Sequence, residues 1–129
     1  MPTHTKLVEY QVGGARIAYT ADAVSADGEV AYEGTIVKNT ADNEIDLAFD
    51  YADVKACSIY ATTAMVVETN STTVPDDTFT LAAGEQLAWT NNETATNPFT
   101  ANVTKFYVTN SDANNDGTLK IHVLLDVTP

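Results

Sequence analysis

Two stretches decide the fold class: Val103-Thr104-Lys105-Phe106-Tyr107-Val108-Thr109-Asn110, and Thr118-Leu119-Lys120-Ile121-His122-Val123-Leu124-Leu125-Asp126-Val127. In the second, Leu119, Ile121, Val123, Leu125 and Val127 fall on one face, with Lys120, His122, Leu124 and Asp126 on the other. That period of two is the signature of a half-buried strand. Phe106 and Val108 alternate with Lys105, Tyr107 and Thr109 in the same way. Pairing Thr109 with Thr118 sets Val108 opposite Leu119, Phe106 opposite Ile121 and Thr104 opposite Val123. The stretch is thus predicted to form a long C-terminal hairpin with one apolar face. Ordering its second strand costs roughly 1–2 kcal/mol per residue in backbone entropy. Such a hairpin is therefore expected to be the spine of a larger sheet.

Working outward, Leu7 to Thr20 reads as another hairpin, turning at Gly13-Gly14, a pair suited to the positive φ of a type I′ turn. Setting Val12 against Ala15 brings Tyr10 to Ile17 and Val8 to Tyr19, with Gln11 meeting Arg16 on the other face. Ala21 to Gly28 reads as a small polar segment with one helical turn, closing at Asp27-Gly28. Val30 to Lys38 is a third strand, with Val30, Tyr32 and Ile36 inward and Gly34 marking a bulge or a close neighbour. Asn39 to Asn43 is a polar turn, and Ile45, Leu47 and Phe49 alternate with Asp46, Ala48 and Asp50 as a half-buried strand. Tyr51 to Lys55 turns the chain, and Ala56–Ala61 and Ala64–Thr69 are short strands. Thr78–Leu81 and Gln86–Thr90 flank Ala83-Gly84-Glu85 as a hairpin burying Phe79, Leu81, Leu87 and Trp89.

About ten short strands with turn signals every eight to twelve residues predict an all-β chain. The expected fold is one antiparallel β-sandwich, jelly-roll-like, in a single domain of 129 residues. Residues 1–40 are a candidate docking hairpin or extension, and 41–129 are expected to form the core sandwich. No basic start followed by an apolar core suggests a secretory signal, and no run has the length of a membrane span.

Eighteen acidic residues against six basic ones give a formal charge of −12. Such a surface repels phosphate, so direct binding to nucleic acid is disfavoured, and it resists edge-to-edge pairing of strands. Cys57 is the sole cysteine and sits in an alternating strand, which reads as a buried structural thiol. Asn70, Asn92 and Asn102 each begin a glycosylation sequon, of a kind that arises by chance in so threonine-rich a chain.

Catalytic constellations are thin. His4 and His122 are the two imidazoles, too few to build a zinc centre with one cysteine. No nucleophile elbow or phosphate-cradling glycine loop occurs, and with eighteen acids some carboxylates are neighbours in any fold. The expectation is a protein that is not an enzyme and takes no cofactor. Asp112-Ala113-Asn114-Asn115-Asp116-Gly117 matches the first half of a calcium loop, with Asp112, Asn114 and Asp116 as candidate ligands. Its twelfth position is Val123 where a bidentate glutamate belongs, so a hairpin turn is the preferred reading. Trp89 with Tyr60, Tyr107 or Phe99 would make an aromatic platform for a sugar; alternation with Leu87 instead reads Trp89 as core.

From Ile45 onward, about two-thirds of the chain, the sequence resembles a type of small all-β virion protein encoded by tailed bacteriophages. The resemblance rests on an ordered series. Ile45-Asp46-Leu47-Ala48-Phe49-Asp50 leads to Ala56-Cys57-Ser58-Ile59-Tyr60, then Val67-Glu68-Thr69-Asn70. Pro75-Asp76-Asp77-Thr78-Phe79-Thr80-Leu81, Gly84-Glu85-Gln86-Leu87-Ala88-Trp89 and the stretch from Val103 to Asn110 follow. It implies a decoration or cement role on the outer capsid surface, with the major capsid protein as partner. A homo-oligomer, with a trimer as one form, goes with that role. The first 40 residues lie outside the resemblance, which makes Val8, Tyr10, Ile17 and Tyr19 the candidate docking residues. The alternative is a carbohydrate-binding or host-recognition β-sandwich module.

Overall fold

The computed structural model describes residues 1–128. Ten strands account for its regular structure, apart from a single 3-10 turn at Tyr51–Asp53 capped by the Asp50 side chain. The strands are β1 (Thr3–Val12), β2 (Ala15–Ser25), β3 (Gly28–Ile36), β4 (Thr40–Ile45), β5 (Val54–Ala61), β6 (Met65–Thr69), β7 (Thr78–Leu81), β8 (Gln86–Thr90), β9 (Phe106–Asn110) and β10 (Gly117–Leu125).

Eight of these form two four-stranded antiparallel sheets, in the orders β3-β10-β5-β8 and β4-β9-β6-β7. Counted from β3, the first strand pairs with the eighth, the second with the seventh, the third with the sixth and the fourth with the fifth. That winding is a jelly roll: an antiparallel ribbon, folded at the β6–β7 turn and wrapped into two layers. The expected β-sandwich is present, and the apolar faces of its sheets meet in one core. Ile36, Ile59, Leu119, Ile121 and Val123 from the first sheet meet Met65, Val67, Phe106 and Val108 from the second, all at most 1 % exposed. Phe99 plugs one end, ringed by Phe49, Phe79 and Phe106 at centroid separations of 5.0, 5.5 and 6.3 Å. Such edge-on contacts suit the opposed charges of ring edge and face.

The jelly roll overturns two predicted hairpins. Phe106 and Ile121 are both buried, yet β9 and β10 belong to opposite sheets, and the predicted register between them does not form. β10 is instead the partner of β3 and β5, with Ile121 opposite Tyr32 and Ile59. Likewise β7 pairs with β6 and β8 with β5, so the Ala83–Glu85 connection turns a corner between layers. The physical reason is common to both: a residue facing its neighbour across the core shows the same alternation as one facing it within a sheet. Other differences are local. Strand β4 runs Thr40–Ile45, where a turn was expected, and the segment after Ile45 leaves the ladder. There Phe49 makes a lone bridge to Val103. β10 ends at Leu125, leaving Val127 exposed. The predicted helical turn in 21–28 is the end of β2. Gly34 has a close neighbour rather than a bulge: the Tyr32 ring occupies the space a Cβ would need.

Strands β1 and β2 stand apart as a two-stranded hairpin, here the arm. Gly13 and Gly14 hold φ of 58° and 83°, as the predicted type I′ turn requires. The arm ends at Ser25, and β3 is already an edge strand of the sandwich, so the extension is shorter than the expected 1–40.

Candidate docking arm and the groove at its base

The arm crosses the outer face of the first sheet before leaving the body. Near β3 and β10, His4 Nε2 lies 2.8 Å from Glu29 Oε2, and the His4 ring meets the His122 ring edge-on at 6.4 Å. Further along, at β8, Lys6 donates to the Ala88 carbonyl at 3.0 Å and to Glu93 Oε1 at 2.6 Å. On the second strand, Asp22 accepts hydrogen bonds from the Thr90 hydroxyl and from Asn92 Nδ2. Val24 packs on a small satellite core of Ala26, Ala56 and Leu124. That contact buries Leu124 completely, although sequence alternation put it on the polar face. The arm's base is therefore tied down by polar latches on both strands and by one apolar contact.

Two carboxylates in these latches are held below their ordinary titration values. For Asp22 the causes are the bonds from Asn92 and then Thr90; for Glu93 the main cause is the bond from Lys6. Between arm and sheet lies an open groove of about 760 Å³, whose walls include Lys6, Val8, Ser58, Gln86 and Ala88. On its floor Gln86 Nε2 donates to Ser58 Oγ at 2.8 Å.

Beyond this groove the arm projects from the body, and every residue from Leu7 to Ala21 is exposed. A two-stranded hairpin is marginal in water by itself, which makes its exposed apolar side chains notable. Val8, Tyr10, Ile17 and Tyr19 are 50, 63, 63 and 50 % exposed. The structure brings them onto one element but not onto one face. The predicted pairs Tyr10–Ile17 and Val8–Tyr19 are displaced by a bulge next to Gln11. Tyr10 pairs with Ala18 and Val8 with Thr20, while Ile17 is the extra residue with no partner opposite. Tyr19 pairs with Glu9 on the other face. There Glu9 Oε1 accepts from Gln11 Nε2 at 2.9 Å and from Arg16 Nε at 2.6 Å, and the guanidinium lies 4.7 Å above the Tyr19 ring.

The other sequence candidates have structural partners. Asp112 Oδ1 accepts from the backbone N–H groups of Asn114 and Asn115, a self-capped turn, and those bonds hold its carboxyl below the usual range. Asp116 Oδ1 accepts from Lys38 N at 2.9 Å, so the two carboxylates of the calcium-like loop serve different backbone segments. Among the described residues no cluster of three or more His, Cys, Asp or Glu is arranged to hold a metal. The Cys57 thiol is buried and pushed up to about 12, chiefly by desolvation, which removes its nucleophilic form at neutral pH. The sugar platform is not assembled. Trp89 faces the core beside Cys57 and donates its indole N–H to the Ala95 carbonyl at 2.8 Å. Phe99 is buried and Tyr107 belongs to the other sheet. Asn70, at φ 69°, is engaged by Asp76, Asn102 and Thr104.

Sequence reasoning passed over Asn110, which is fully buried at the end of β9. It accepts from the Thr63 hydroxyl and Asp112 N, and donates to the carbonyls of Ile36 and Asn115. Its signal was a lone polar residue closing an alternating strand, which resembles any loop asparagine.

The chain matches no family model, no curated protein and no solved structure. No helix among the described residues is long and apolar enough to cross a membrane.

Proposed function

We propose that this chain is a structural virion protein that decorates a bacteriophage capsid and stabilises it by non-covalent binding to the major capsid protein. The observation that carries the reading is the arm: a latched hairpin that leaves a rigid sandwich and presents uncovered apolar side chains. Large apolar side chains left exposed together on a projecting element suit a protein contact site. The family resemblance from Ile45 onward supports the setting, and the role requires no catalysis. A protein that binds only the assembled shell stabilises it by RT ln(1 + [L]/Kd) at each site, repeated over every equivalent site. A formal charge of −12 keeps the free protein dispersed and away from nucleic acid. Quantitative mass spectrometry of purified particles tests the setting. The reading expects a copy number commensurate with the shell subunits; absence, or a few copies at a tail tip, contradicts it.

A further inference from the structure

We infer that the uncovered face of the arm is occupied by the same face of a second copy of this chain. The inference rests on the reading of the arm as the contact element and names its partner. Register fixes which side chains share the face. Val8, Tyr10 and Val12 of β1 lie on it together with Ala15, Ala18 and Thr20 of β2. The same face carries His4, Lys6, Asp22 and Val24 at the base, where the sandwich covers it. Past the groove that Val8 shares with β8, the face continues exposed.

Three features make a copy of itself the fitting occupant. The first is relief: on this face β1 carries the large side chains and β2 the small ones. Two arms stacked about a two-fold axis set the ridge of Val8, Tyr10 and Val12 on each over the shallow strip of Ala15, Ala18 and Thr20 on the other. A two-fold contact requires this self-complementarity, in which residue i meets j and j meets i. The second is charge. Between Leu7 and Ala21 there is one acid, Glu9, and one base, Arg16, so the arm is neutral and the net charge of −12 resides on the rest of the chain. The net repulsion between two copies therefore arises outside the arm, and both charged arm residues point away from the shared face. The third is area. A ribbon face of this size buries on the order of several hundred Å² per copy, which places the pair among weak, reversible contacts. Pairing is then concentration-dependent in solution and reinforced when the copies are held side by side. A linked pair joins two sandwich bodies, so each is free to seat on its own shell subunit.

The test is sedimentation velocity of the purified full chain over a concentration series, with two variants. Wild type is expected to shift reversibly from monomer to dimer. Ala18→Glu, which places a charge in the small-residue strip, is expected to abolish the dimer. Tyr19→Lys, on the opposite face, is expected to retain it. Ala18 and Tyr19 are both exposed, and unchanged melting and arm-base amide resonances establish that each variant is folded. Wild type that stays monomeric at every concentration overturns the inference, as does a dimer that survives Ala18→Glu. Particle binding separates this from the proposed function. A monomeric protein that binds particles, and loses them with Ala18→Glu, leaves the arm to the shell protein and the decoration role intact. A dimer that is absent from particles leaves the pairing intact and removes the decoration role.

Discussion

Lys6 Nζ sits 2.6 Å from Glu93 Oε1, and this contact, between the fourth residue of β1 and the loop after β8, ties the base of the arm to the body. Both side chains are about three-quarters covered, and Lys6 also holds the Ala88 carbonyl. Replacing Lys6 by Met keeps most of the stem's packing and removes the charge. Partly exposed pairs of this kind contribute up to about 1 kcal/mol. The expected outcome is a nearly unchanged melting temperature with faster hydrogen exchange confined to the arm. Unchanged exchange at the arm would show that the Asp22 and His4 contacts and the packing of Val24 hold it without Lys6.

Acid should release the arm in the same way. Asp22 and Glu93 both titrate below their ordinary values when folded, so the unfolded latch binds protons more readily. Their contribution is fully present above the ordinary carboxylate values and is lost as pH falls through the lower folded values. Amide resonances of Thr90, Asn92 and Glu93, in the latch itself rather than beside His4 and His122, should therefore hold steady from neutral pH down to about pH 4 and move below it. A transition between neutral pH and about pH 5 would contradict this assignment.

At the opposite corner, Gly117 opens β10 against the β5–β6 loop. A Cβ there would overlap the Thr63 hydroxyl and the terminal methyl of Met65, both of which are buried. Gly117→Ala is expected to destabilise by about 1–3 kcal/mol, as overpacked cores do. Urea unfolding measures it, and a loss below about 0.5 kcal/mol would mean that the corner yields.

Asn110 joins the ends of β3 and β9, the β5–β6 loop and the turn that begins at Asp112. Asn110→Leu leaves two carbonyls, one hydroxyl and one backbone N–H without this partner in a buried site. Each such group costs about 1–3 kcal/mol when unsatisfied. The expected loss is at least about 2 kcal/mol by urea unfolding, and a neutral substitution would show that water enters the corner.

What the sequence made legible follows from what alternation encodes. The face each side chain takes is written in the chain, so Phe106, Val108, Leu119, Ile121 and Val123 were recognised as buried. Sheet membership is not written there. The six residues from Ser111 to Asp116 serve equally as a hairpin loop or as a corner between layers, and the apolar match of Phe106 with Ile121 satisfies both. The Gly13-Gly14 turn was legible because its φ values demand glycine. The bulge at Ile17 was not, since one extra residue in an exposed ribbon leaves no trace in a burial pattern. Val8, Tyr10, Ile17 and Tyr19 therefore share the arm, as alternation indicates, but not the single face expected of them: Tyr19 takes the side opposite Val8 and Tyr10, and Ile17 falls at the bulge. In the calcium-like loop, the turn chemistry expected of Asp112 is present: its short side chain accepts from the backbone N–H groups of Asn114 and Asn115.

The account's central claim is that the chain stabilises an assembled shell, and one measurement addresses it most directly. Particles with the protein, particles stripped of it, and stripped particles given it back are heated with a dye that reports exposed DNA. The account predicts that stripping lowers the temperature of DNA release and that adding the protein back restores it, in proportion to site occupancy. If complete and stripped particles release DNA at the same temperature, the stabilising role is wrong.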